Sequence, residues 1–97
     1  MKTYKLFNIN NNVIVILTEA GAKFLNKVNK ATNKEYNTHL KCNYEAGQTY
    51  RSQLWALFKL FNNQLGPEFE IPFLDCIIGI DPKKLHNGEL AENEEIN

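Results

Sequence analysis

Apolar residues fall along the chain in a few blocks. Tyr4-Lys5-Leu6-Phe7 and Val13-Ile14-Val15-Ile16-Leu17 are rich in aromatic and β-branched side chains, and Asn8–Asn12 separates them. Runs of that kind around an Asn-rich turn predict a β-hairpin, because Asn tolerates the left-handed backbone of tight turns. The second run is apolar at every position, as expected of a strand that is central or covered on both sides. Thr18 ends it and suits a helix N-cap, with Glu19 placed where the helix dipole favours negative charge. Phe24, Leu25, Val28 and Ala31 recur at helical spacing and predict a helix over residues 19–31. Gly21 costs such a helix about 1 kcal/mol relative to Ala, which points to a close backbone approach there.

Residues 32–49 are polar and read as a loop, with a short strand at His39–Asn43. Leu54, Leu57, Phe58, Phe61 and Leu65 form one apolar stripe and predict a helix over Tyr50–Leu65, stopped by Gly66-Pro67. Pro72-Phe73 leads into a β-branched run, Leu74–Ile80, read as the last strand and ended by Asp81-Pro82. From Lys83 onward the sequence is Glu-rich and poor in apolar residues.

The expected fold is therefore α+β: a small antiparallel three-stranded sheet, formed by the hairpin and the C-terminal strand, with two helices packed on one face, order ββααβ. Residues 1–82 make a single domain and residues 83–97 an acidic flexible tail. If the helices cover Val13, Val15 and Leu17, then Ile14 and Ile16 face away, and an uncovered apolar face marks an interaction site. A homodimer or a protein partner across that face is expected.

Composition adds constraints. At 97 residues and 43% hydrophobic, the chain supports one globular domain and not a disordered one. Asn occurs fourteen times, read as a trace of AT-rich coding DNA with little chemistry of its own. The zero net charge conceals a split: residues 1–66 carry nine Lys/Arg against three acids, and residues 67–97 two Lys against eight acids. That asymmetry favours an anionic partner or a tail that masks a basic face. Cys42 and Cys76 make no disulfide framework. Thr3-Tyr4-Lys5 does not open an apolar leader, and no apolar run approaches the roughly 20 residues of a membrane span. A cytoplasmic protein with free thiols follows as the expectation.

Motifs for chemistry are sparse. His39-x-x-Cys42 has half-site spacing, and Cys76 and His86 would have to complete a metal set, but the second pair is too far apart in sequence to favour one. Ser52 lies in no nucleophile elbow. Glu68, Glu70, Asp75 and Asp81 flank a turn and a strand and read as solvated charges, and no Gly-rich phosphate loop occurs. Neither an enzyme nor a cofactor, metal or small-molecule substrate is expected.

Two surface features stand out instead. Lys23, Lys27, Lys30 and Lys34 step along one side of the first helix, a pattern suited to phosphates and to a nucleic-acid-binding regulator. Trp55 lies beside the apolar stripe of the second helix, with Tyr50, Arg51 and Lys59 on its side, as an interface anchor with a polar rim would.

Two blocks carry a resemblance: Asn8-Ile9-Asn10 with Val13-Ile14-Val15-Ile16-Leu17-Thr18-Glu19-Ala20-Gly21, and Tyr50-Arg51-Ser52-Gln53-Leu54-Trp55-Ala56-Leu57-Phe58 with Phe61 and Gly66. With Pro72-Phe73 and the Ile-rich close, they resemble a group of small uncharacterised proteins of tailed bacteriophages and prophages, over roughly residues 7–30 and 49–81. The Leu-Thr-Glu-x-Gly block also looks like the turn after the wing of winged-helix proteins, but no helix-turn-helix precedes it. Residues 32–46 depart from the phage pattern. The resemblance implies a non-enzymatic accessory protein and brings no catalytic residues. The function expected is binding and inhibition of a host defence protein in the bacterial cytoplasm. A nucleic-acid-binding regulator and a structural or assembly oligomer are the alternatives.

Overall fold

The computed structural model describes residues 3–65 and 70–90. Its elements are β1 (Thr3–Leu6), β2 (Asn12–Ile16), α1 (Glu19–Tyr36), β3 (Thr49–Gln53), α2 (Leu54–Phe61) and β4 (His86–Glu89). Three 3₁₀ turns lie at Asn62–Gln64, Leu74–Cys76 and Pro82–Lys84.

The chain is α+β, but the expected three-stranded sheet and the order ββααβ are overturned. Two separate two-stranded antiparallel sheets, β1–β4 and β2–β3, stand in the order ββαβαβ. The hairpin does not form, because its Asn-rich turn serves another element. Carbonyls of Ile9 and Asn11 accept the first helical N–H groups of α2, from Trp55 and Leu54, each at 3.2 Å. Gln53 at the helix N-cap makes no side-chain cap bond, so these carbonyls satisfy donors that would otherwise be orphaned. Residues 49–53, read as loop end and helix start, instead pair with β2: Val15 lies opposite Tyr50, Ile14 opposite Arg51 and Val13 opposite Ser52.

The segment read as the last strand runs antiparallel beside β2 yet joins it only at two isolated bridges, Ile14–Gly79 and Leu17–Phe73. Between them Asp75 and Cys76 adopt φ of 55° and 57°. This left-handed backbone breaks the ladder despite the β-branched Ile77 and Ile78. Residues 86–89, assigned to the tail, form β4 and pair with β1 in the register Leu6 to His86 through Thr3 to Glu89. The Gly66-Pro67 stop, Glu68 and the tail beyond Leu90 lie outside the described residues.

α1 runs five residues further than expected, to Tyr36, and closes on Asn37 in the left-handed C-cap conformation (φ 53°). At its start the Thr18 hydroxyl accepts from the Gly21 N–H at 3.1 Å and donates to the Ile71 carbonyl. Thr18 N–H also bonds the Pro72 carbonyl at 3.0 Å. The close approach inferred for Gly21 is real: a Cβ there would sit 2.1 Å from the Pro72 carbonyl oxygen.

The core lies between the inner face of β2–β3 and the two helices. Val13, Val15, Leu17, Ala22, Leu25, Leu57, Phe61 and Phe73 are buried. The Phe61 ring packs against Phe24 at 5.3 Å and Phe73 at 5.0 Å between centroids.

The polar segment after α1 is neither loose nor a strand. Three asparagines of α1 hold it along the helix. Asn26 accepts from the Tyr44 N–H at 2.8 Å and donates to the Tyr44 carbonyl at 2.9 Å. Asn29 donates to the Lys41 carbonyl at 2.8 Å. Asn33 accepts from the Leu40 N–H at 2.8 Å and the Thr38 hydroxyl at 2.7 Å, and donates to the Leu40 carbonyl at 2.9 Å. At Tyr44 and Leu40 the amide side chain takes both backbone groups of one residue, as a neighbouring strand would.

Candidate binding surfaces

Strand alternation divides β2–β3 into two faces. Val13 and Val15 point into the core, while Ile14 is half-buried and Ile16 exposed on the outer face, beside Thr49 and Arg51 of β3. The 74–80 segment lies against the free edge of β2 and completes an open, mainly apolar cleft of about 300 Å³. Ile14, Ile16, Leu74, Ile77, Thr49, Asp75 and Gly79 all line it. Leu74 is 49% exposed and Ile77 61%, so large apolar side chains ring the cleft without filling it. Arg51 and Asp81 stand at its far end, in an adjoining hollow with Asn12 and Ile80. The sequence pointed to Ile14 and Ile16; Leu74 and Ile77 were missed, because they were assigned to a strand whose faces had no fixed register.

The group expected around Trp55 does not assemble as one rim. Tyr50 and Arg51 belong to β3, not to α2, and consecutive strand residues point to opposite faces. Tyr50 turns inward to meet Tyr44 edge-on at 5.8 Å, and burial raises its hydroxyl above the ordinary tyrosine pKa, helped by the neighbouring Tyr44. Trp55 is exposed on α2, with Phe58 one turn on, and Lys59 is exposed beyond them.

Lys23, Lys27, Lys30 and Lys34 all lie on α1, which the extended helix makes possible, and all are exposed. At about 100° per residue they occupy a sector of roughly 60°. Lys23 pairs with Glu19 at 3.5 Å, the one ion pair among the described residues. The row borders a groove of about 400 Å³ lined by Lys23, Asn26, Lys27, Lys30 and Cys42. The groove's far wall is the segment that the α1 asparagines hold. The 3.6-residue spacing of Asn26, Asn29 and Asn33 was the available signal for that arrangement.

His39, Cys42, Cys76 and His86 do not converge: no three His, Cys, Asp or Glu residues are placed to hold a metal ion among the described residues. Ser52 lies on β3 and donates to the Gln53 carbonyl at 3.2 Å. Asp81 accepts from the Lys83 N–H at 3.0 Å, while Glu70 and Asp75 are exposed. Among the described residues no helix is long and apolar enough to cross a membrane. Comparison with protein-family models, curated proteins and solved structures finds no match.

Proposed function

We propose that this protein works by binding another protein through the outer face of β2–β3. The supporting observation is the open cleft: Ile14 and Ile16 of a core strand form its floor, and exposed Leu74 and Ile77 form its wall. An uncovered apolar surface beside a core strand is expensive in water and marks an interaction site. The proposal includes the biological setting carried by the two phage-like sequence blocks: an accessory protein in the cytoplasm of a bacterial host that engages and inhibits a defence protein.

The test is affinity capture from such a host with the wild type and with Ile16→Lys/Ile77→Lys, a surface variant expected to keep its fold by circular dichroism. One stoichiometric protein held by the wild type and lost by the variant supports the reading. An identical set of captured proteins from both overturns it. Sedimentation of the purified chain identifies a second copy as the occupant if the wild type is a dimer and the variant a monomer.

A further inference from the structure

We propose that the lysine row of α1 binds the phosphate backbone of a single-stranded nucleic acid, on a surface separate from the apolar cleft. The first observation is the uncompensated positive charge of the row. Lys23, Lys27, Lys30 and Lys34 stand one turn apart, and like charges at that spacing repel. Glu19 answers only Lys23, and among the described residues no carboxylate pairs with the other three. Glu35, the other acid of α1, projects from a different side of the helix, about 120° from Lys23 at 100° per residue. The repulsion is relieved when an extended anion lies along the row.

The second observation is the groove beside the row. Lys23, Lys27, Lys30, Asn26 and Cys42 line about 400 Å³ of open space. Lys41, on the segment that forms its far wall, is not among the lining residues; its ammonium lies 4.5 Å from the centre of the Tyr44 ring and 3.3 Å from Gln48 Oε1. Asn26, Asn29 and Asn33 hold that wall by its backbone, so the groove is organised before any ligand arrives. An extended anion therefore meets the α1 lysines on one side and the fixed segment around Cys42 on the other. The row runs over twelve residues, about 16 Å at the helical rise, long enough for several consecutive phosphates. A single helix face with one side groove follows one strand.

Phosphate contacts release condensed counterions, and for a single strand the logarithm of affinity falls by about 0.7 per contact for each tenfold rise in salt. Three or four lysine contacts give a slope of about −2 to −3, a loss of about 20- to 50-fold between roughly 50 and 200 mM salt. The experiment is fluorescence anisotropy of the full chain with a labelled oligothymidine of about 16 nucleotides, the upper end of a single-fold site. It is repeated with Lys27→Glu/Lys30→Glu and with Lys5→Glu, a same-sign change on β1.

The expected result is a slope in that range, lowered by about 1.4 for the loss of two contacts in the α1 variant and unchanged in the β1 variant. Thermal unfolding of the α1 variant should be no earlier than that of the wild type, since two repulsions are removed. No binding at low salt, or an equal fall in both variants, overturns the proposal. Equal or tighter binding of a duplex overturns the single-strand assignment. Polyglutamate bound with the same salt slope overturns the nucleic-acid assignment. None of these outcomes depends on the cleft, so the Ile16→Lys/Ile77→Lys variant should bind the oligonucleotide as the wild type does.

Discussion

The two antiparallel ribbons are similar in length and differ in what they hold up. β2–β3 places Val13 and Val15 in the core, each 2% exposed. β1–β4 contributes no residue to the core cluster, and its exposed Thr3, Lys5, His86, Asn87 and Glu89 meet water. Within it Leu6 packs close over Gly88, where an added Cβ would meet the Leu6 side chain. Backbone pairing alone makes a ribbon, and burial on one side makes it part of the domain. The stable ribbon thus frames the apolar cleft, and the other sits apart from the core.

The largest test of this contrast is Phe61→Ala. Phe61 is fully buried between Phe24 and Phe73, and the loss should be about 3–5 kcal/mol. Melting should fall by at least about 12 °C at this chain length, with β2–β3 and both helices lost together. Gly21→Ala comes next. Helix propensity alone favours it by about 1 kcal/mol. The clash with the Pro72 carbonyl should reverse the sign and leave a net loss within the range of about 1–3 kcal/mol typical of overpacking. Chemical denaturation decides the sign, and a more stable variant would mean that the α1 start and residues 71–73 separate easily.

Asn33→Ala removes the partner of Leu40 and Thr38. It should cost about 1–2 kcal/mol, read as faster hydrogen exchange at the Leu40 amide with little change at Val15. Gly88→Val should open β1–β4, raising exchange at its amides, yet shift global unfolding by less than about 0.5 kcal/mol. A larger shift would make the outer ribbon part of the cooperative unit. The smallest effect is in alkali. The Tyr50 pKa is raised above its ordinary 10.0, so its neutral form is favoured by folding. That contribution is complete below about pH 10, the ordinary tyrosine value, and fades as pH rises through the raised folded value. Tyr50→Phe should flatten this part of a stability–pH curve, measured against Tyr36→Phe as the exposed control.

How far the sequence reveals this molecule follows the same division. β2, the cap at Thr18 and α1 are legible because apolar periodicity and the core agree there, whereas α2 ends at Phe61 and buries only Leu57 and Phe61 of its expected stripe, leaving Phe58 and Leu65 exposed. The Gly21 approach was legible because a costly residue stood inside a helix. β3 was lost in the helix that follows without a break: Thr49 to Gln53 alternates polar exposure with burial, but the stripe beginning at Leu54 overrode it. β4 was lost because His86-Asn87-Gly88-Glu89 has little strand propensity. Leu74–Ile80 misled in the other direction, since nothing in its composition announces two left-handed residues. The Ile14–Ile16 face and the lysine row could be read from alternation and helical spacing. The groove beside the lysines could not, because its wall depends on side-chain amides bonding to a distant backbone.

That fastening has a practical corollary. Asn26, Asn29 and Asn33 carry no charge and do not titrate in the working range, so neither ionic strength nor pH loosens them directly. A salt wash that strips a polyanion from the lysines should leave the adjacent wall standing. The empty surface should then be ready to reload without refolding.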